Sequence, residues 1–179
     1  MKKVITFTLL LLATASFSLN AQDQTSFPKS WQGEWKGTLE IFGPQGKVNE
    51  VAMELHILPT DSADFTWIIY YGEDKVIGKR DYLIRLVDEK SARFEVDEQN
   101  SIFLDAYLLG GKLVELFEVQ SNILVATTEK VGEELIFEII SGRLNDPRTT
   151  GGEVQGEETI PEVKSFPVNV RQKAVLKRI

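Results

Sequence analysis

The sequence of 179 residues contains no cysteine and only one histidine. Without cysteine the chain forms no disulfide and no thiolate metal site, so its stability must come from packing. The single histidine, His56, leaves no nucleophile, base and orienting group that assemble convincingly, and no catalytic residue is predicted. Glu54 and His56 share one strand face, but a metal site usually needs more donors than this pair, so no metal is predicted.

Nucleotide-binding loops are also missing. Gly111-Lys112 lacks the spacing and the following helix of a phosphate-binding loop, and no glycine-rich fingerprint occurs elsewhere. No cofactor is therefore predicted. Without residues 1–21, which hold two lysines and no acid, 18 basic side chains remain against 27 acidic ones. This negative balance argues against nucleic acid and anionic lipid as partners.

The one long uncharged stretch lies at the N-terminus. Lys2 and Lys3 precede an uncharged segment from Val4 to Leu19, which is shorter than the span of about 20 residues that a membrane helix needs. This pattern predicts a signal peptide over residues 1–21, with cleavage within a few residues of Ala21. We therefore expect an exported protein, periplasmic or secreted, that is not an integral membrane protein.

Strand periodicity dominates the rest of the chain. Apolar and polar residues alternate over short runs, separated by clusters of Gly, Asn, Asp and Glu. The predicted strands span residues 31–42, 48–58, 64–71, 76–88, 91–97, 101–109, 112–119, 122–129 and 134–142. Strands joined by such short connectors are antiparallel neighbours, and closing the sheet removes its exposed edges. We predict an all-β fold, an antiparallel up-and-down meander of about 8–10 strands closed into a barrel.

The predicted barrel domain spans residues 22–144. Residues 145–162 are rich in Gly, Thr, Glu and Pro and predict an acidic, flexible linker or loop. Residues 163–179 regain apolar positions and are expected to pack on the barrel as a strand or a short helix. Because the strands after residue 101 are apolar on both faces, this segment or a partner subunit is expected to cover them. Charges on both faces argue against an outer-membrane barrel, namely Glu54, Arg85, Glu115, Glu118 and Glu138.

The first predicted strand is the most regular. Gly33 and Gly37 flank Trp35, which leaves room for the indole to lie across the sheet. Gly33-Glu34-Trp35, followed by a meander, resembles the Gly-x-Trp opening of the lipocalin and calycin barrels, with their avidin-like and fatty-acid-binding relatives. By position, Arg143 is assigned the role of the arginine that packs over this tryptophan in that family. Asp81-Tyr82 resembles the family's Thr-Asp-Tyr element but lacks the threonine and follows the tryptophan too soon.

The resemblance implies a small apolar or amphipathic ligand inside the barrel, in contact with aromatic strand faces. The candidate ligand-binding residues are eight aromatic side chains and one carboxylate among them: Trp35, Phe65, Trp67, Tyr82, Phe103, Asp105, Tyr107, Phe117 and Phe137. Each aromatic residue is equally compatible with an ordinary core position. A barrel of about eight strands either fills with side chains or holds one small ligand, and the pattern does not separate these cases.

Three functions remain open at this point. The leading one is an exported, non-enzymatic, lipocalin-like barrel that binds such a ligand. The first alternative is an interaction or scaffold protein of the cell envelope that uses the acidic linker and a basic C-terminal cluster. The cations of that cluster are Arg171, Lys173, Lys177 and Arg178. The second alternative is a hydrolase acting on a sugar through Asp105 and a second carboxylate, Asp97 or Glu115.

Overall fold

The computed structural model describes residues 27–179, and the predicted signal peptide lies outside them. Ten strands of this part of the chain form one closed antiparallel barrel. They are β1 (Gly33–Gly43), β2 (Gly46–Ile57), β3 (Phe65–Tyr71), β4 (Lys79–Asp88), β5 (Arg93–Asp97), β6 (Phe103–Leu109), β7 (Lys112–Val119), β8 (Asn122–Val131), β9 (Glu134–Arg143) and β14 (Val168–Arg178). None of the helices in this part of the chain is long and apolar enough to cross a bilayer.

The predicted meander is confirmed. Strands β1 to β9 are neighbours in chain order, and each corresponds to one of the nine predicted strands. Strand β14 lies between β9 and β1 and closes the barrel. Of the two forms left open for the C-terminal segment, the strand is therefore observed. It is part of the barrel wall. The expectation that it covers the outside of the strands after residue 101 is therefore wrong.

A narrow extension separates β9 from β14. It contains β10 (Arg148–Thr150), β11 (Val154–Gln155), β12 (Glu158–Thr159) and β13 (Val163–Ser165). Strand β10 pairs with β13 and β11 pairs with β12, so the chain folds back on itself as an exposed two-part hairpin. The predicted acidic linker thus corresponds to a hairpin that projects from one end of the barrel.

One end of the barrel is plugged. We call it the closed end, where β1 begins, and we call the opposite end the open end, where β1 finishes at Gly43. Phe27 and a 3-10 helix (Lys29–Trp31) fill the closed end. The Phe27 ring meets Trp31 edge-on at 4.5 Å and Phe94 at 4.8 Å between centroids. Aromatic packing therefore excludes water from this end.

The contact between β1 and β14 seals the barrel. A Cβ on Gly37 would lie only 2.3 Å from the Val175 carbonyl oxygen, so the close approach of these strands requires glycine. The Arg178 guanidinium lies 4.8 Å from the centre of the Trp35 ring and donates a hydrogen bond to the Gln32 carbonyl. The arginine that packs over the tryptophan is therefore Arg178. The assignment to Arg143 was wrong, because β9 ends with that residue at the open end.

The two faces of the strands differ in burial. Inward-facing residues form the core, whose largest fully buried members are Trp35, Leu39, Met53, Leu55, Ile57, Ile84, Leu113, Leu135, Leu176 and Val96. On the outside Phe103 is 53% exposed and Leu116 is 64% exposed, so the described residues provide no cover for this part of the wall. A partner subunit remains an untested expectation for that surface.

Candidate ligand-binding site

A cavity of about 130 Å³ lies inside the barrel towards the open end. Tyr71 is the last residue of β3 and Glu98 directly follows β5, which places the cavity near the ends of these strands. Its lining is mainly aromatic and aliphatic: Trp67, Ile69, Tyr71, Tyr82, Val96, Glu98, Leu104, Glu115, Phe117, Ala126, Phe137 and Ile139. The half of the barrel near the closed end is filled by side chains, so the interior is packed in one half and hollow in the other.

Two alanines create space beside a carboxylate. Glu115 pairs with Ala106 on β6 and with Ala126 on β8, so both residues across from it have the smallest side chain that a chiral residue allows. On β7 it occupies the inward-facing position between Leu113, which is fully buried, and Phe117, which lines the cavity. Strand alternation therefore directs the Glu115 carboxyl into the barrel.

The carboxyl group of Glu115 is unpaired in the part of the chain that the structure describes. Within residues 27–179 it makes no hydrogen bond and no ion pair. Burial, helped by the negative charge of Glu98, raises its pKa to about 7. A buried carboxyl group without a partner is unfavourable in its ionised form, and a ligand that supplied hydrogen bonds or a positive charge would relieve this cost.

Two tyrosine hydroxyls share this polar side of the cavity. Burial, with the neighbouring Tyr82, raises the pKa of Tyr71 to about 12. Burial also raises the pKa of Tyr82, and the charges of Glu98 and Glu115 act in the same direction. Both hydroxyls are therefore protonated at neutral pH and available as hydrogen-bond donors.

The cavity opens towards the rim of the barrel. Tyr82 and Glu98 line it, and both also line a polar depression of about 470 Å³ on the outside, formed with residues of β4 and the loop after β5. The Glu98 carboxylate accepts a hydrogen bond from the Asn100 side chain at 3.2 Å. Tyr82 and Glu98 therefore lie between the interior and the solvent, at a position where a ligand could enter.

The structure distributes the nine predicted site residues over three places. Four line the cavity, namely Trp67, Tyr82, Phe117 and Phe137. Trp35 is fully buried near the closed end, and Phe65 is half-buried at the same end of the barrel. Phe103, Asp105 and Tyr107 lie on the outer face of β6, because Leu104, Ala106 and Leu108 take the inner one.

The paired carboxylates of a sugar hydrolase are not assembled. Asp105 is exposed and forms an ion pair with Arg93 at 2.7 Å. Asp97 pairs with Arg85 at 2.9 Å, also on the outside. Glu115 points to the interior, so neither outer carboxylate shares a site with it, and the two-carboxylate hypothesis is corrected.

Several lining residues were not predicted as site residues. Tyr71, Glu98 and Ala126 carried no separate signal, since alternation alone does not say which face is interior. For Glu115 the sequence predicts only the role of a second carboxylate or of a charge that interrupts a strand face. Its signal was a lone acid between two apolar residues of the same strand face, Leu113 and Phe117.

A second carboxylate, on the outer face of β2, is fully satisfied. The side chain of Glu54 is only 6% exposed and contacts the Lys75 ammonium at 2.6 Å, the Lys36 ammonium at 3.3 Å and His56 Nε2 at 3.1 Å. Burial opposes ionisation, but the hydrogen bonds from these three groups outweigh it and lower the pKa of Glu54 to about 2. No group of three or more potential metal ligands occurs among the described residues. Glu54 with Lys36, Lys75 and His56 therefore forms an ion-pair network on the outer face of the barrel.

The basic C-terminal cluster is mostly engaged in the barrel wall. Arg171 donates to the Glu138 carboxylate at 3.0 Å, and the Lys177 ammonium lies 3.7 Å from Glu134. Arg178 lies over Trp35. A wider concavity of about 640 Å³ on the outer face of β1 and β14 is lined by Lys36, Lys173, Lys177, Glu40 and Glu50 together with three uncharged residues. Because the charged residues that line it are of both signs, this concavity does not favour any one class of ligand.

Comparisons with known proteins support the fold. No protein-family model matches the sequence, and no curated protein matches it. A protein of unknown function of the DUF3598 family from Nostoc punctiforme is similar in structure, with TM-score 0.59, 10% identity and 84% of this chain covered. The chain spans about half of the length of that protein, 48%.

Two further solved structures are similar. An S-type phycobiliprotein lyase from Guillardia theta has TM-score 0.58 and 10% identity, with 89% of this chain and 94% of the lyase covered. The zebrafish ileal bile acid-binding protein, in complex with cholic acid, has TM-score 0.43 and 15% identity, with 84% of this chain and 99% of that one covered. At 10% identity the likeness to the first two structures concerns the fold alone, which in this chain is a closed antiparallel barrel.

Proposed function

We propose that this chain is an exported, non-enzymatic barrel protein that binds a small amphipathic molecule in the cavity at the open end. The observation that carries the proposal is the cavity itself, in which aromatic walls surround an unpaired carboxyl group behind an entrance to the rim. Apolar walls with a few convergent polar groups are typical of small-molecule sites. Export rests on the pattern of residues 1–21 and predicts a mature protein whose intact mass corresponds to a start near Gln22.

The volume limits the ligand. Pockets for drug-sized ligands measure roughly 300–1,000 Å³, whereas an apolar cavity of about 150 Å³ binds benzene. The present cavity of about 130 Å³ therefore takes an apolar body no larger than one aromatic ring. A short polar arm on that body would reach Glu115 inside or Glu98 at the entrance.

The cell-envelope scaffold alternative receives less support. It used the C-terminal segment as a surface for partners, but β14 holds β1 and β9 together and most of its cations have partners within the wall. Deletion of residues 163–179 would open the barrel, so loss of a partner in such a variant would not identify a docking surface.

Filling the cavity tests the proposal. Ala126 lines the cavity and is 5% exposed, so Ala126→Leu places a larger side chain into the empty volume. We expect the unaltered protein to bind benzyl alcohol in saturation-transfer NMR and the variant to lose at least about tenfold in affinity. Because the added carbons enter free space, the variant is expected to remain folded by circular dichroism.

A matched control is Ala63→Leu, since Ala63 is exposed in the loop between β2 and β3. That variant is expected to bind benzyl alcohol as the unaltered protein does. Equal binding by the unaltered protein and folded Ala126→Leu would contradict the proposed site.

A further inference from the structure

We propose that the cavity selects a cation, a primary amine on a small apolar body, whose ammonium group lies against the Glu115 carboxylate. This inference rests on the proposed function and adds the charge class of the ligand. It does not follow from the fold, because the barrel type fixes neither the sign nor the position of an interior charge.

The first support is the position of Glu115. An inward-facing carboxylate between two alanines has free space in front of it, and no cation of residues 27–179 forms an ion pair with it. By contrast, the buried carboxylate of Glu54 on the outer face is matched by two lysines and a histidine. Within the described residues, the chain therefore supplies partners for the buried carboxylate of Glu54 and leaves the half-buried Glu115 carboxylate, beside the cavity, without one.

The second support is the sign of all the polar groups that line the cavity. The ionisable side chains among them are those of Glu98, Glu115, Tyr71 and Tyr82, none of which carries a positive charge, and Trp67 adds an indole N–H. The guanidinium of Arg80, which is exposed at the rim on the same strand face as Tyr82, lies 6.0 Å from the centre of the Tyr71 ring and donates to the Lys79 carbonyl at 2.9 Å. The two carboxylates would repel an anionic ligand, whereas an ammonium group would find hydrogen-bond acceptors of opposite charge.

The third support is the wall around these groups. Trp67, Phe117 and Phe137 line the cavity with Tyr71 and Tyr82. Aromatic faces attract cations, most strongly where water is excluded. The walls therefore accommodate the apolar body of the ligand and also favour its charged end.

A pH dependence follows from the same geometry. Burial and the charge of Glu98 raise the pKa of Glu115, the two tyrosines beside it stay neutral at physiological pH, and the charge of Arg80 acts on those tyrosines. The carboxylate form that an ammonium group requires is populated above about pH 7 and lost below it. Amine binding is therefore expected to weaken on acidification, by up to about tenfold per pH unit below that value.

Benzylamine and benzyl alcohol test the inference, because they have the same shape and differ in charge. We expect the unaltered protein, at about pH 8 where both Glu115 and the amine are ionised, to bind benzylamine about tenfold to a hundredfold more tightly than benzyl alcohol. Glu115→Gln should abolish this preference and retain binding of benzyl alcohol. The matched control is Glu118→Gln, since Glu118 is exposed on the outer face of the same strand and its loss changes the net charge equally.

The outcomes separate the two proposals. If benzyl alcohol binds and benzylamine binds no better, the inference fails and the proposed site stands. If neither probe binds, the proposed function fails as well. Loss of the preference in both variants would also overturn the inference, because long-range charge and not Glu115 would then be its source.

Discussion

Replacing Trp35 with alanine is expected to lower the free energy of unfolding by about 3–5 kcal/mol. The indole is fully buried, and its Nε1 donates a hydrogen bond to the Trp31 carbonyl at 2.9 Å. The Arg178 guanidinium packs over the indole, 4.8 Å from the ring centre. The substitution therefore creates a cavity, leaves a buried carbonyl without its donor and removes the contact that joins β14 to the closed end.

Urea denaturation followed by circular dichroism measures this change. Phe103→Ala is a suitable control, because it also removes an aromatic ring from the barrel wall, but one that is 53% exposed on the outer face. We expect that control to lose no more than about 1 kcal/mol. Equal losses in the two variants would show that Trp35 is no more important to the fold than an outer-face ring.

Glu115→Gln is expected to stabilise the protein above neutral pH. The pKa of Glu115 rises from 4.5 to about 7 on folding, so the folded state binds the proton more tightly than the unfolded state. The unfolding free energy contributed by this group is therefore fully present below about pH 4.5 and lost as the pH rises to about 7. A shift of this size corresponds to at most about 3 kcal/mol, since each pKa unit is worth about 1.4 kcal/mol.

The measurement is urea denaturation at several pH values between about 4 and 8. The glutamine variant should match the unaltered protein at the acidic end and exceed it in stability at the alkaline end. For Glu118→Gln on the outer face, the difference in stability from the unaltered protein should not grow with pH in this way. A constant difference between the glutamine variant and the unaltered protein at all pH values would mean that Glu115 is not perturbed.

The expected effects of Glu115→Gln on stability and on ligand preference are linked through the proposed site. A carboxylate that reduces stability at neutral pH persists where a function uses it, and a stabilising substitution at such a position costs that function. Glu115→Gln should accordingly gain stability and lose the preference for an amine. An amine should in turn stabilise the unaltered protein and leave the glutamine variant largely unaffected.

Much of the fold was accessible from local patterns. Alternation with a period of two residues located nine strands, and the turn residues between them implied antiparallel neighbours. The tenth strand was harder to assign, because it follows the extension between β9 and β14 and pairs with the first strand of the barrel. Pairing between strands so far apart in the chain produces no local sequence pattern. The same pairing places Arg178 over Trp35.

The site was less accessible for a related reason. Alternation separates two faces but does not say which is interior, and β6 is apolar enough on both faces to mislead. Phe103 and Tyr107 therefore seemed equivalent to Trp67 and Phe137, although they lie outside. The cavity depends on register, which brings Ala106 and Ala126 next to Glu115 from two other strands.

Methyl NMR of the protein titrated with benzylamine tests the central claim most directly, because it locates the ligand. We expect chemical-shift changes at methyl groups that line the cavity, such as those of Ile69, Leu104 and Ile139. The methyl groups of Leu55 and Leu176, buried in the packed core, should be unaffected. Changes confined to outer-face residues such as Leu116, or none at saturating ligand, would contradict a ligand site inside this barrel.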